Sequence, residues 1–154
     1  MSNRMAGRRR VIPPVYFLAA LLLMAGLHVA LPVRQVIQLP YRYGGLLFVL
    51  GGIVLVLWAA RLFGQAGTTI KPFQESSALV VRGPYRLTRN PMYLGMVGGL
   101  VGVAVLLGSL APVIVIPLFV ALLDVRFIRA EEAMLERSFG ATYRDYKTRV
   151  QRWL

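Results

Sequence analysis

Three stretches of this chain contain no Lys, Arg, Asp or Glu: Val11 to Val33, Tyr43 to Ala60, and Asn90 to Leu123, of 23, 18 and 34 residues. A helix of about 20 apolar residues crosses the ~30 Å hydrocarbon core of a bilayer, so each of the first two is one span. The third, as a single helix, would run about 51 Å at ~1.5 Å per residue, too long for one crossing. It is read as two short spans that turn at Gly108-Ser109, ahead of Pro112. The sequence therefore predicts an all-α, polytopic membrane helical bundle forming one domain over residues 1–154. About four transmembrane spans are expected, at 13–31, 44–61, 92–107 and 110–127. Cytoplasmic amphipathic helices at 128–139 and 143–152 should come after them.

Composition agrees with a membrane chain and excludes several other classes. Hydrophobic residues make up 57% of the 154 and charged residues only 16%, against about 25% charged in a soluble domain. So much apolar sequence is incompatible with disorder. The absence of cysteine rules out a disulfide framework, a cysteine nucleophile and a cysteine-ligated zinc site. No cluster of metal-ligand histidines or Ser-His-Asp pattern is present, and no metal is expected. A strand followed by GxGxxG and a helix is also missing, so the soluble dinucleotide-binding architecture is excluded.

The net charge of +12 first suggests nucleic acid, but the positions of the bases point to topology. Arg4, Arg8, Arg9 and Arg10 precede the first span, and only Arg34 and Arg42 lie between the first and second. Arg61, Lys71, Arg82, Arg86 and Arg89 fill the next connection, and seven more lie after the fourth span. Sixteen of the eighteen thus fall on one side. Both termini are expected in the cytoplasm, with no nucleic-acid partner. The first uncharged stretch exceeds the usual ~7–15-residue core of a signal peptide and no A-x-A site comes after it, so it is read as a retained anchor.

Much of the apolar sequence has a packing explanation. Gly95, Gly98, Gly99 and Gly102 form overlapping small-xxx-small pairs that let helices approach closely. His28, alone late in the first span, is assigned an interfacial or interhelical hydrogen bond. Two segments beyond the spans are richer than anchoring requires. In Leu79 to Gly95, Gly83-Pro84 signals a turn and Asn90-Pro91 a helix start, with Asn90 a natural N-cap. A helix N-terminus there could receive a carboxylate or phosphate; an interfacial turn with Tyr85 and Tyr93 in an aromatic belt is the plainer explanation.

In the second segment, Asp124 to Gly140, Ile128, Leu135 and Phe139 share a helical stripe with Glu132, while Glu131 joins Phe127 and Met134 on the next. A carboxylate on an apolar face is costly unless paired. Arg126, Arg129 or a cationic ligand could supply the partner. Gly140 should end this helix, and Thr142-Tyr143-Arg144-Asp145 reads as a capping box opening another. Tyr143, Tyr146, Val150 and Trp153 then form one face, set either against the membrane interface or over the preceding site.

Taken together, these segments resemble the isoprenylcysteine carboxyl methyltransferase-like family of integral-membrane methyltransferases, to which phospholipid N-methyltransferases are related. The matching residues are Gly83-Pro84-Tyr85, Arg89-Asn90-Pro91-Met92-Tyr93-Leu94-Gly95, and Glu131-Glu132 with Leu135. Phe139-Gly140, Tyr143, Tyr146, Val150, Arg152 and Trp153 complete them, so the resemblance runs over about half of the chain. It implies S-adenosyl-L-methionine bound at the cytoplasmic membrane face. Tyr85, Asn90, Pro91, Met92 and Tyr93 would line the cofactor site, with Val80 nearby. Glu131 or Glu132 would contact the cofactor's ribose or ammonium end, and Arg126 or Arg129 would serve the substrate. Eukaryotic members often have histidine where Asn90 stands; asparagine still donates a hydrogen bond but does not titrate near neutral pH. The implied protein is a bacterial inner-membrane enzyme acting on a lipid-like or apolar acceptor that enters from the bilayer. The alternatives are a small membrane transporter, disfavoured because Glu131-Glu132 falls beyond the fourth span and not at the midplane, and a noncatalytic membrane subunit with the same fold.

Overall fold

A computed structural model of the chain describes residues 12–31, 35–67 and 78–154. The expectations for Arg4, Arg8, Arg9, Arg10, Arg34 and Lys71 lie outside the described residues. Helix α1 spans Pro13–Ala30, α2 Gly45–Gln65, α3 Pro91–Leu107, α4 Val115–Leu123 and α5 Arg129–Arg149. Among the described residues there is no strand, only the isolated bridges Gln35 to Ser109 and Thr88 to Gln151.

Local sequence explains several of the helix ends. Proline opens α1 and α3, where its missing N–H would have had no helical partner and its fixed φ suits the first turn. Gly108 closes α3 with φ +68, the left-handed conformation that glycine adopts without a Cβ penalty. A 3-10 turn, Ala111–Ile114, then leads into α4.

Two expectations change at the C-terminal end, and one holds. No break separates the fourth span from the next helix: a π-helical turn, Asp124–Ile128, joins α4 to α5. As expected, Gly140 interrupts the helix: at φ +51 and ψ −120 it is non-helical, and α5 is two helices run together across a kink at that residue. The helix stops at Arg149, short of 152, because Val150 is extended (φ −127, ψ 129) and Gln151 pairs alongside Thr88.

The segments Pro13–Ala30, Tyr41–Gln65 and Ala111–Arg149 are long and apolar enough to cross a membrane, and Pro91–Leu107 is a shorter apolar helix. The charges of the α4–α5 rod begin only at Asp124, so its spanning part precedes the π turn. Helices α1 and α2 turn large apolar residues outward, among them Leu18, Leu22, Leu47, Val54 and Leu57. Facing water, so extensive an apolar surface would drive association; facing lipid tails, it is already solvated. This is a helical integral-membrane fold.

Helix α3 is enclosed by its neighbours. Its glycines allow backbone-to-backbone approach with α2: a Cβ on Gly95 would lie 2.7 Å from both the Gly52 carbonyl oxygen and Val56 Cγ2. One on Gly102 would meet Gly45 and Val49 in the same way. Leu100 and Ala104 instead join Met24, Phe119, Leu123 and Phe127 in the main core between α1, α3 and α4. At the Leu107 end of α3, His28 Nδ1 and Ser109 Oγ share a hydrogen bond of 2.7 Å, which ties α1 to the turn after α3. The Gly108 carbonyl there accepts from the backbone N–H of Val36 and of Ile37.

Candidate functional site

The Pro91 end of α3 is the opposite end of the bundle, and α4 runs back to it. The charged groups of the π turn and α5 therefore meet the segment that leads into α3. The π turn adds a residue to the helix at this place, and such turns occur frequently at functional sites. Phe127 and Ile128 are both buried there, and one turn later two adjacent carboxylates take different partners.

Glu132 is 7% exposed and compensated by two guanidiniums. Arg152 grips it bidentately, donating from Nη2 to Oε2 at 2.6 Å and from Nε to Oε1 at 3.1 Å. Arg89 Nη1 adds an ion pair at 3.2 Å to Oε1. The third nitrogen of Arg152, Nη1, donates to Asp124 Oδ1 at 2.9 Å, and Asp124 Oδ2 accepts from Arg129 Nε at 2.8 Å. A buried carboxylate with bidentate, charge-assisted partners is strongly held.

Glu131 is different. Its Oε1 accepts a 2.7 Å hydrogen bond from the hydroxyl of Tyr93, and no Lys or Arg lies within ion-pair distance among the described residues. Burial raises its pKa from 4.5 to about 7, with the Tyr93 hydrogen bond working in the opposite direction. Glu131 stands beyond the spanning part of the rod, so this is a carboxyl group poised near neutrality at the membrane edge. Removing the Tyr93 hydroxyl should carry the midpoint higher. Tyr93→Phe is expected to move Glu131 titration upward by about one pH unit, since a hydrogen bond to a charged group is worth ~1.5 kcal/mol or more. The carboxyl stretch in difference infrared spectra measures this.

Gln151 and Arg152 bind the site's rim. The Arg152 carbonyl accepts from Thr88 Oγ1 at 3.0 Å and from Asn90 Nδ2 at 2.9 Å, and the Arg89 N–H donates to the Gln151 carbonyl at 2.9 Å. Asn90 stands at the N-cap position of α3, with φ −128 and ψ 54, but makes no side-chain cap hydrogen bond; its Nδ2 is donated to the tail. Tyr146 Oη donates to the Tyr85 carbonyl at 2.6 Å. Tyr143, Tyr146 and Val150 pack against Leu79, Leu135 and Phe139, so this face covers the body of the protein and does not lie on the membrane. Tyr85 stacks edge-on against Phe63 with ring centroids 5.6 Å apart. Burial and the nearby Tyr146 and Glu131 raise its phenol pKa.

The structure thus brings Tyr85, Asn90, Pro91, Met92, Tyr93, Glu131 and Glu132 to one end of the bundle. Val80 is buried behind Tyr85 with Ala59, and Met92 packs beside them. The arginine expectation needs correction. Neither Arg126 nor Arg129 pairs with Glu131 or Glu132; Arg129 is held by Asp124 and Arg126 is exposed. The partners of Glu132 come from far along the chain, Arg89 and Arg152. Asp124, Thr88 and the roles of Arg89 and Arg152 were missed by sequence reasoning. One signal was available for Asp124: it is the acid that ends the 34-residue uncharged run.

Fold and site define a helical integral-membrane protein with an ionisable cluster where its helices leave the bilayer. The chain belongs to the phospholipid methyltransferase family, whose profile matches residues 41–142. It is 33% identical over 77 residues to the nickel-cobalt-cadmium resistance protein NccN of Alcaligenes xylosoxydans xylosoxydans, a match covering 50% of this chain and 36% of that protein. Its fold is similar to that of the eukaryotic intramembrane Ras methyltransferase ICMT (isoprenylcysteine carboxyl methyltransferase), with a TM-score of 0.64 and 23% identity. That match covers 92% of this chain and 50% of the other, so the chain spans about half the length of the solved structure it resembles.

Proposed function

We propose that the chain is an S-adenosyl-L-methionine-dependent methyltransferase that acts on a lipid-like or apolar acceptor at the cytoplasmic face of a bacterial inner membrane, with both termini cytoplasmic. Family membership supports methyl transfer. The sixteen-to-two sorting of positive charge supports the orientation. The observation that carries the cofactor reading is Glu131: a half-buried carboxylate with a phenol partner and no countercharge among the described residues.

S-adenosyl-L-methionine, when bound, supplies a methyl already activated on a sulfonium, and it bears a second cationic centre in its ammonium. The residues present fit such a group. Ionised Glu131 would provide the missing countercharge, and Tyr93 holds its oxygen in place. Glu132 is occupied by Arg89 and Arg152 and would support the site from behind. Asn90, Pro91 and Met92 form the start of α3, with Tyr85 and Val80 as an apolar wall beneath Met92. Arg126 remains exposed just past the spanning part of the rod, where it would meet an anionic group on the acceptor. Arg129, tied to Asp124, is the poorer candidate. The protein's contribution to rate is chiefly alignment of acceptor and methyl group.

Binding should depend on pH. A cationic ligand binds the ionised form of Glu131, so its apparent affinity scales with the ionised fraction. With the midpoint at about 7, affinity should rise roughly fifteenfold between pH 5.5 and pH 7, below the titration of the cofactor's own amine at ~7.7–8.0. Proton release should accompany binding in that range. Calorimetric titration of the detergent-purified protein with S-adenosyl-L-methionine, repeated in buffers of different ionisation enthalpy, measures both. A folded protein that gives no saturable heat would refute the reading.

A further inference from the structure

The tail residue Arg152 occupies an unusual position: its side chain and its main chain each join two parts of the site. The guanidinium spans Asp124 in the π turn and both oxygens of Glu132 in α5. The carbonyl of the same residue accepts from Thr88 and Asn90 in the segment entering α3, next to the Arg89 N–H bond to Gln151. The two halves of the site, one at each side of the α3–α4 hairpin, are thereby fastened to each other by one residue near the C-terminal end.

We propose that Arg152 is a positioning residue that locks residues 88–90 and the Glu132 carboxylate together, leaving Glu131 as the carboxylate free to take a cationic ligand. This rests on the methyltransferase reading for the identity of the ligand, but not for the strap itself. The geometry needs arginine. Three nitrogens of one planar fork serve two carboxylates, which the single ammonium of lysine on a flexible stem does not reproduce. Without the fork, Glu132 keeps only the Arg89 contact and stands as a second, undercompensated carboxylate next to Glu131.

The test compares the full-length wild type with Arg152→Met, Arg152→Lys and the double variant Glu132→Gln/Arg152→Met. It uses calorimetric binding of S-adenosyl-L-methionine and hydrogen exchange at the Arg89 amide. Arg152→Met should weaken binding by at least ~10-fold, because small misplacements in a site cost one to two orders of magnitude. It should also speed Arg89 exchange. Arg152→Lys should fail to restore either. The double variant should recover part of the affinity, since it removes the stranded carboxylate; a substitution that merely loosens the fold would not be rescued by a second one. Unchanged affinity in folded Arg152→Met, or full affinity in Arg152→Lys, would overturn the proposal. If the wild type binds no cofactor, the methyltransferase reading fails, and exchange alone judges the strap: unchanged protection of the Arg89 amide in Arg152→Met would refute it.

Discussion

Glu131→Gln is expected to weaken S-adenosyl-L-methionine binding by about 100-fold or more while making the ligand-free protein more stable at alkaline pH. The loss has two parts: a charge-assisted contact disappears, and the ligand's cation is left without its partner. The gain in stability has the same origin as the binding. Burial raises the pKa of Glu131 from 4.5 to about 7. The folded state therefore favours the protonated form, and the stabilisation associated with that proton is complete below pH ~4.5 and lost as pH rises through about 7. Above that range the buried carboxylate costs up to about 3 kcal/mol in the absence of ligand. Glutamine has no such penalty and can still accept the Tyr93 hydrogen bond through its amide oxygen. Thermal unfolding in detergent should show the variant above the wild type at pH 8 and level with it near pH 4. A residue that only held the fold together would behave in the opposite way, losing stability with function.

Gly95→Val is expected to be the most damaging change to the fold itself. A Cβ at Gly95 stands 2.7 Å from the Gly52 carbonyl oxygen and from Val56, and the obstacle on α2 is backbone, which cannot rotate away. Overpacking of this kind costs ~1–3 kcal/mol for ordinary insertions and more where the backbone must separate. We expect at least ~3 kcal/mol, since a branched side chain forces the α2–α3 crossing open. Gly26 is the control: a Cβ there meets nothing within 4 Å, and Gly26→Ala should stay within about 0.5 kcal/mol of the wild type. Refolding equilibria in mixed micelles measure both. Displacing α2 also shifts Trp58 and Leu62, which border Gly83 near the Tyr85 turn, so Gly95→Val should impair ligand binding as well.

The membrane fold was legible because hydrophobicity and charge act over whole helices. Runs such as Asn90 to Leu123 admit few other structures, and Gly108 with φ +68 turns the chain where the sequence placed the turn. The glycines of α3 were recognised as packing residues because small-xxx-small spacing has one main physical use. What could not be read was pairing between distant charges. Arg126 and Arg129 lie near Glu131 and Glu132 along the chain, and local spacing made them the natural partners. The π turn changes which way each residue faces, and Arg152, twenty residues after Glu132, is returned to it by the kink at Gly140. Periodicity at 3.6 residues per turn contains no sign of the π turn, and Gly140 marks a helix end without showing where the chain beyond it returns. Asn90 is a similar case: it stands at the N-cap position as its context predicts, but it makes no side-chain cap bond, and its Nδ2 donates to a tail carbonyl 62 positions away.

The central claim is that this chain moves a methyl group from S-adenosyl-L-methionine to a membrane-borne acceptor through a site built on Glu131. The most direct measurement incubates membranes containing the full-length protein with cofactor labelled in its methyl group, then extracts the lipid phase. Label should accumulate there with wild-type protein and fall to background with Glu131→Gln, although that variant remains folded. Equal label from wild type and Glu131→Gln, or none from a folded wild type supplied with a broad lipid extract, would contradict it.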